Sequence, residues 1–244
     1  GQNVNAYNFK NKRLSDLILE ISKIKKLKRI RYTTSHPRDF SEDLIEAHKN
    51  CEKLMPMIHL PVQSGSDKIL TAMNRRHTIK EYLEVIEKLK KVRKEIKFSS
   101  DFIIGYPGET HDDFKETLKL MNNIKFINSY SFIFSARPGT PAFNLKKIDQ
   151  KKAKERLLEF QLVANKIKSS YRTSLINKTV KVLFENKVKG ENKYFGRDEC
   201  FNAVITESKE DLAGKIKNIK ILNVNQNTLH GEIISNVNQT NYAA

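Results

Sequence analysis

Three short apolar runs in this chain are each followed by a loop of small and turn-forming residues, and this repetition restricts the possible folds more than any other feature. The runs occupy 57–60, 102–104 and 130–134, and the loops are 61–65 (PVQSG), 105–109 (GYPGE) and 135–141 (SARPGTP). A helical pattern comes after each loop, immediately in the first two cases. This repetition predicts a (β/α) barrel or a parallel sheet. In both folds the loops after the strands form the active face.

The first residues of the chain also resemble a loop. Gly1-Gln2-Asn3 carries no initiator Met and no helix start signal, and it is typical of a strand end whose strand lies further upstream. We therefore expect a fragment that has lost an N-terminal part. No secretory signal is visible in these residues, and the longest apolar stretches of the chain fall well short of the roughly 20 residues of a membrane span.

The composition is that of a globular and strongly basic protein. The chain has 244 residues, 39% of them hydrophobic, and a formal net charge of +17. Such a charge favours a polyanionic partner such as nucleic acid. A second interpretation is equally open, because Lys outnumbers Arg 34 to 11, which is the bias expected of an AT-rich genome.

Two cysteines, Cys51 and Cys200, lie 200 − 51 = 149 positions apart. This spacing offers neither a disulfide framework nor a metal-ligand cluster. We interpret both as buried structural thiols, and we expect a reducing, cytoplasmic location.

The periodicity divides the chain near Ser170. Four strands, each followed by a helix, are predicted from about 29 to 169; the first of them covers 29–34 and the third covers 97–104. Capping boxes at Thr78 and Thr110 open two of the helices. Five short alternating strands then predict a small antiparallel barrel of OB-like type in 170–234. Residues 235–244 are expected to form a disordered tail.

The segment GYPGE is the sharpest candidate site. Gly105 and Gly108 allow the backbone to approach a ligand closely, and a helix N-terminus follows. A phosphate cradle fits poorly, because no Gly-Lys-Ser/Thr ending is present and three acidic residues follow: Glu109, Asp112 and Asp113. The acids favour helix capping, or an uncharged or cationic ligand. A tight turn with acidic capping is the alternative for this segment.

Other polar loop residues carry weaker signals. Gln63 and Ser64 stand at a strand end and suit a ribose or a carboxylate, although turn residues often look like this. His36, beside a proline, is more typical of a packed loop residue than of an acid or base. The run 75–77 (RRH) is most simply a solvated helix end, with phosphate contact as the alternative. In the predicted barrel, a group of aromatic and basic residues either stacks bases or forms the barrel core. The group is Lys193, Tyr194, Phe195, Arg197 and Phe201.

Taken in order, the motifs resemble one family. The segments GQNVNAY, RIRYTTSHPRDF, IHLPVQSGSDKIL, DFIIGYPGET and FSARPGTPA are similar to those of the bacterial tRNA-2-methylthio-N6-dimethylallyladenosine synthases, which are radical S-adenosylmethionine methylthiotransferases. The resemblance covers residues 1–234, and the tail from about 170 resembles a TRAM domain, an RNA-binding β-barrel.

The resemblance implies a partial six-stranded radical-SAM (β/α) barrel of which this chain keeps strands three to six. A loop with three cysteines that binds a [4Fe-4S] cluster should lie upstream. One departure concerns the superfamily pattern GxIxGxxE, which places Asp101 at the first Gly and Gly108 at the Glu. Glu109 comes one residue late for that pattern.

The implied reaction is methylthiolation of C2 of N6-isopentenyladenosine next to the tRNA anticodon, and it needs a radical because an aromatic C–H is inert to acid, base and nucleophile. The resemblance assigns the methionine end of S-adenosylmethionine to Gln2, Asn3 and Asn5. It assigns the ribose to Gln63 and Ser64, and the adenine to the backbone at Gly105 and Gly108. Arg137 would bind the cofactor carboxylate or an RNA phosphate. Further contacts to substrate or RNA are expected from His36, Arg38, Lys193 and Arg197.

The implied partners are tRNA and an electron donor such as flavodoxin or ferredoxin, with the protein a monomer. No catalytic residue and no metal ligand is assigned within this chain. A non-catalytic RNA-binding remnant is the alternative function. An ordinary phosphate-binding (β/α) enzyme is disfavoured by the acids after Gly105.

Overall fold

A computed structural model describes residues 3–33 and 35–234. The predictions for Gln2 and for the tail 235–244 therefore lie outside the described residues. The chain divides into two compact units, Gly1–Lys168 and Ser169–Ala244. Each unit has its own hydrophobic core.

The first unit alternates strands and helices. Its strands are β1 (Asn8–Phe9), β2 (Lys12–Arg13), β3 (Met57–His59), β4 (Lys97–Ile104) and β5 (Asn128–Ile133). Its helices are α1 (Leu14–Ser22), α2 (Glu42–Asn50), α3 (Asp67–Ala72), α4 (Ile79–Val92) and α5 (His111–Ile124), and α6 (Gln150–Thr173) begins in this unit. The small β1–β2 hairpin was not predicted, whereas α3 stands where a helical pattern was predicted directly after the loop 61–65.

The strands β3, β4 and β5 form a parallel sheet in that order. The prediction of a full strand at 29–34 is wrong, because its described residues, 29–33, form a single bridge, between Ile30 and Leu54. Its alternating pattern has another cause. Ile30 is buried, and Tyr32 packs on the same core with its hydroxyl 2.7 Å from Nε2 of His48. Burial of alternate side chains therefore produced the signal without a continuous ladder.

The helices begin where the capping residues predicted. Thr78 accepts a hydrogen bond from the Glu81 N–H, and Thr110 accepts one from the Asp113 N–H, with the reciprocal carboxylate contact present in both capping boxes. Both helices pack one apolar face on the sheet. The core includes Tyr82, Leu89, Phe102, Phe114 and Phe160.

The second unit is a closed five-stranded barrel. Its strands are β6 (Thr179–Lys187), β7 (Lys193–Asp198), β8 (Ala203–Glu207), β9 (Ile216–Val224) and β10 (Thr228–Ile233), in the order β10-β8-β7-β6-β9. Its core is formed by apolar side chains from the five strands and the β8–β9 connection, among them Val182, Phe184, Val204, Leu212, Ile221 and Leu229.

The prediction of an antiparallel barrel needs one correction. Four of the five strand pairs are antiparallel, but β8 and β10 are parallel. The reason is geometric. Strand directions cannot alternate all the way round a closed ring with an odd number of strands, so at least one neighbouring pair must run the same way.

The two cysteines differ in environment. Cys51 ends α2 and is buried, as predicted. Cys200 is only partly buried, so the prediction of a buried thiol is wrong there. It lies in the turn between β7 and β8, where the chain reverses at the barrel surface.

Candidate functional site

The loop after β4 has a left-handed backbone at both of its glycines. Gly105 has φ +75° and Gly108 has φ +83°, and this region disfavours residues with a Cβ. A Cβ at Gly105 would lie 3.0 Å from the Cβ of Ala153 on α6, whereas one at Gly108 would meet nothing within 4 Å. Gly105 therefore allows close packing of the loop on a helix. Gly108 leaves open space that a ligand could occupy.

Glu109 turns into the protein. Its carboxylate accepts hydrogen bonds from the Gly105 N–H at 3.2 Å to each oxygen, and Arg156 of α6 donates to Oε1 at 2.6 Å. Burial raises the pKa of Glu109, and the hydrogen bond and charge of Arg156 oppose that rise. Both side chains are almost fully buried. Glu109 is therefore held by internal contacts.

Asp113, in the first turn of α5, also contacts residues at the start of α3. Besides its contacts with Thr110 it accepts hydrogen bonds from the Ser66 hydroxyl at 2.7 Å and from Nζ of Lys68 at 2.8 Å. Burial alone would raise the pKa of Asp113, but these donors outweigh it and hold the pKa well below its usual range. The acids after Gly105 are thus used largely for capping and loop anchoring.

Gln63 and Ser64 have different surroundings. Gln63 has φ +75°, which is uncommon for a residue with a side chain, and its N–H and C=O bond to β4 at Asp101 and Ile103. Ser64 is buried, and its hydroxyl accepts a hydrogen bond from the Ser66 N–H and lies 3.5 Å from the Thr117 hydroxyl. The strained conformation makes Gln63 the more promising ligand contact, because such strain concentrates at functional sites.

The loops containing Asn5 and His36 meet. The Asn5 amide donates to the His36 C=O and accepts from the His36 N–H, each at 2.8 Å. The Asn3 amide donates to the Asp39 carboxylate. Oδ1 of Asn3 and the hydroxyl of Ser35 are buried without a partner among the described residues. Two unsatisfied polar atoms in adjacent loops fit a site for a polar ligand.

His36 contacts a second histidine from the loop between α3 and α4. The His36 and His77 rings meet edge to face, with their centroids 5.5 Å apart. His77 is buried, so the interpretation of 75–77 as a fully solvated helix end is wrong for this residue. Burial, and then the charges of His36 and Arg75, lower the pKa of His77 to about 4. Arg38, by contrast, is exposed and pairs with Asp39 at 2.9 Å.

Arg137 lies in the loop after β5, in a turn whose Thr140 N–H and hydroxyl both donate to the Arg137 C=O. The side chain is exposed and makes no hydrogen bond with the described part of the chain. Its guanidinium is therefore available to an anionic group.

Sequence reasoning missed a polar cluster on the sheet itself. Nδ1 of His59 lies 2.9 Å from the Ser99 hydroxyl, and its Nε2 lies 3.4 Å from Oδ2 of Asp101. The ring of Tyr130 packs edge-on against His59, with the centroids 6.1 Å apart. The available signal was the polar alternation inside β4, where Ser99 and Asp101 interrupt an apolar strand.

The barrel unit has its own candidate surface around Arg197. The guanidinium lies 4.2 Å from the centroid of Phe201 and 5.2 Å from that of Phe195. Phe201 is 43% exposed and has φ +68°. Arg197 also pairs with Glu185, and Lys193 pairs with Glu191. An exposed aromatic ring beside basic residues suits base stacking.

Comparison with known proteins identifies the family. Residues 7–121 match the model of the radical SAM superfamily. Proteins named tRNA-2-methylthio-N(6)-dimethylallyladenosine synthase are 54% identical over 96% of this chain in Pelagibacter ubique, 48% over 95% in Wolbachia pipientis wMel, and 42% over 96% in Ruegeria sp. TM1040. The chain belongs to their family. It spans about half the length of these relatives, 53% of the first and 54% of the other two.

The solved structures that are similar to this chain are more distant in sequence. Coproporphyrinogen III oxidase from Escherichia coli is 13% identical, with a TM-score of 0.49 over 70% of this chain and 46% of that chain. The archaeal Elp3 from Methanocaldococcus infernus is 16% identical, with a TM-score of 0.44 over 80% of this chain and 58% of that chain. We draw no structural conclusion from likenesses of this size.

Neither a metal centre nor a membrane span is found in the part of the chain that the structure describes. Within residues 3–33 and 35–234 no group of three His, Cys, Asp or Glu side chains is arranged to hold a metal ion. No helix in the same ranges is both long enough and apolar enough to cross a membrane.

Proposed function

We propose that this chain forms part of a radical S-adenosylmethionine enzyme that methylthiolates C2 of N6-isopentenyladenosine next to the tRNA anticodon. The observation that carries the proposal is the 54% identity over 96% of the chain with a protein named for that product. We further propose residues 1–169 as the carboxyl-terminal part of the radical SAM core, comprising strands three to six, and 170–234 as a TRAM-like barrel.

S-adenosylmethionine supplies the radical chemistry when it is bound, and this chain would hold and orient it. The space beside Gly108 and the unsatisfied atoms of Asn3 and Ser35 fit such a polar ligand. Gln63, Gly105 and Arg137 belong to loops at the same end of the parallel strands. We propose these loops, with Gln2, Asn5 and Ser64, as the cofactor site.

The barrel and the rim loops would bind RNA. Support comes from the net charge of +17 and from the exposed ring of Phe201 beside Arg197. We propose Lys193 and Arg197 as contacts in the barrel, and His36 and Arg38 as contacts at the rim of the first unit. An electron donor such as flavodoxin or ferredoxin, a monomeric state and a cytoplasmic location remain predictions.

A chimera tests the proposal. This chain replaces the matching segment of the Pelagibacter ubique relative, and nucleosides from tRNA of the expressing cells are analysed by mass spectrometry. We expect the N6-isopentenyladenosine of a strain without its own enzyme to gain one methylthio group. A folded chimera that binds tRNA but forms no product would favour the alternative of a non-catalytic RNA-binding protein.

A further inference from the structure

The parallel sheet of the first unit has one face covered by helices and one face that is polar and aromatic. On β4, Phe98, Phe102 and Ile104 belong to the hydrophobic core. Because side chains alternate along a strand, Ser99, Asp101 and Ile103 lie on the opposite side, which we call the inner face. Tyr130 and Phe132 of β5 stand in register with Asp101 and Ile103, so they lie on this face too.

The two aromatic residues of the inner face are unusually exposed. Tyr130 is 54% and Phe132 is 59% accessible, although both lie in the middle of a strand. Large apolar side chains grouped beside a few polar residues are typical of ligand sites. They offer flat surfaces on which a ring or an apolar group can stack.

The polar residues of the inner face retain hydrogen-bonding capacity. Asp101 contacts His59 through Oδ2, and its Oδ1 has no hydrogen-bond partner among the described residues. Arg75 is close enough for the negative charge of Asp101 to oppose the fall in its guanidinium pKa that burial causes. The Arg75 guanidinium makes no hydrogen bond to any described residue. A carboxylate oxygen that can accept a hydrogen bond therefore stands beside the aromatic residue Tyr130.

We propose that the inner face binds the adenine base of an N6-alkylated adenosine. Asp101 accepts the single N–H that remains on N6, and Tyr130 and Phe132 cover the apolar N6 substituent. The inference rests on the proposed function and deepens it, because it locates the recognition of the isopentenyl group. An unmodified adenine would satisfy Asp101 but would leave the aromatic surface uncovered.

The absence of tryptophan from the sequence allows a direct test. Phe132→Trp places one indole on the inner face, and Phe143→Trp places one at a 45% exposed position outside it. N6-dimethylallyladenosine, adenosine and S-adenosylmethionine are titrated into each variant. We expect the alkylated nucleoside to quench the indole fluorescence of Phe132→Trp but not that of Phe143→Trp. It should bind about tenfold more tightly than adenosine, since burying roughly two methylene groups gives that factor.

Asp101 is tested in the Phe132→Trp background. Asp101→Ala should weaken binding of the alkylated nucleoside, whereas Asp101→Asn should retain part of it, because the amide oxygen still accepts a hydrogen bond. Asp112→Ala is the matched control, since Asp112 has a side chain 93% exposed on α5. A purely structural role of Asp101 would lower the unfolding midpoint without changing the preference for the alkylated nucleoside.

The outcomes separate this inference from the proposed function. Equal binding of alkylated and unmodified nucleosides to Phe132→Trp, or tighter binding of S-adenosylmethionine in the same assay, would overturn the assignment of the inner face. Saturation-transfer NMR on the unsubstituted chain and on Phe132→Leu gives the same comparison if a tryptophan variant does not fold. Methylthiolation by the chimera is measured independently, so its failure alone would count against the proposed function and not against nucleoside recognition.

Discussion

Gly108 and Gly214 share a backbone conformation, but only Gly108 belongs to the proposed cofactor site. Their φ angles are +83° and +73°, and at neither position would a Cβ meet an atom within 4 Å. Substitution by Ala should therefore cost both sites a similar amount, about 1–2 kcal/mol for a left-handed residue. Any difference between the two variants in ligand binding should come from what occupies the space beside them.

We predict that Gly108→Ala weakens S-adenosylmethionine binding and that Gly214→Ala does not. The added methyl group would enter the space in which we place the cofactor. Cofactor titration on the folded chimera, with unfolding midpoints compared first, provides the measurement. Equal affinities of the two variants would remove Gly108 from the site.

The Glu109–Arg156 pair should dominate the local stability of the loop after β4. Both side chains are buried, and Nε and Nη2 of Arg156 have no other partner among the described residues. Glu109→Gln would leave a buried positive charge uncompensated, which costs about 3–5 kcal/mol. We expect a marked fall in the urea midpoint of unfolding.

Two further variants control this prediction. Glu109→Gln with Arg156→Met removes both charges and should recover most of the stability, since a buried pair can be replaced by apolar groups. Asp112→Asn changes an exposed acid at the second residue of α5 and should change little. An unchanged midpoint in Glu109→Gln would mean that Arg156 finds another acceptor.

Helix α2 carries a histidine that makes the first unit sensitive to acid. His48 is buried, and burial followed by the charge of Arg93 lowers its pKa from 6.5 to about 3. The folded state therefore keeps His48 neutral where the unfolded chain would protonate it. The associated stability is complete above pH 6.5 and is lost as the pH falls toward 3.

We predict that His48→Gln flattens this dependence on pH. The unsubstituted chain should lose up to about 1.4 kcal/mol per pH unit through this group between those limits. The stability difference between the two proteins should therefore shrink as the pH falls. Urea unfolding at several pH values measures it, and His111→Gln, at an exposed position on α5, is the control. A constant difference would contradict the assignment.

Elements with strong local signals were predictable from the sequence. The bounds predicted for β4 match the structure, and the capping boxes at Thr78 and Thr110 are present. Local chemistry decides such features, because hydrogen bonds between residues three apart fix a helix start. The segment 29–34 failed because alternation reports which side chains are buried, not whether a neighbouring strand pairs with the backbone.

The candidate site was only partly predictable for a related reason. Its loops could be found because Gly, Pro and Asn mark turns in the sequence. The cluster of His59, Asp101 and Tyr130 could not, because it depends on the register between three strands distant in sequence. The position of Arg75 depends in addition on the path of the chain after α3.

The second unit should contribute to the affinity of the chain for RNA. We predict that a chain ending at Thr173, where α6 ends, binds tRNA more weakly than the full chain. The plot of log affinity against log salt should also flatten, by about 0.9 for each phosphate that the barrel no longer neutralises. Filter binding over a salt series measures both. Unchanged affinity and slope would place the RNA contacts in the first unit.

Strand β10 closes the barrel, because it pairs in parallel with β8 on one side and antiparallel with β9 on the other. It is also the last strand of the barrel in sequence. The hydrogen bonds of β10 with β8 and with β9 therefore cannot form until Thr228–Ile233 has been synthesised. A chain that ends before this strand would leave two bare edges, and unpaired edges are templates for association between molecules. We therefore expect a nonsense mutation a few codons before β10 to produce an aggregating protein rather than a merely weakened one.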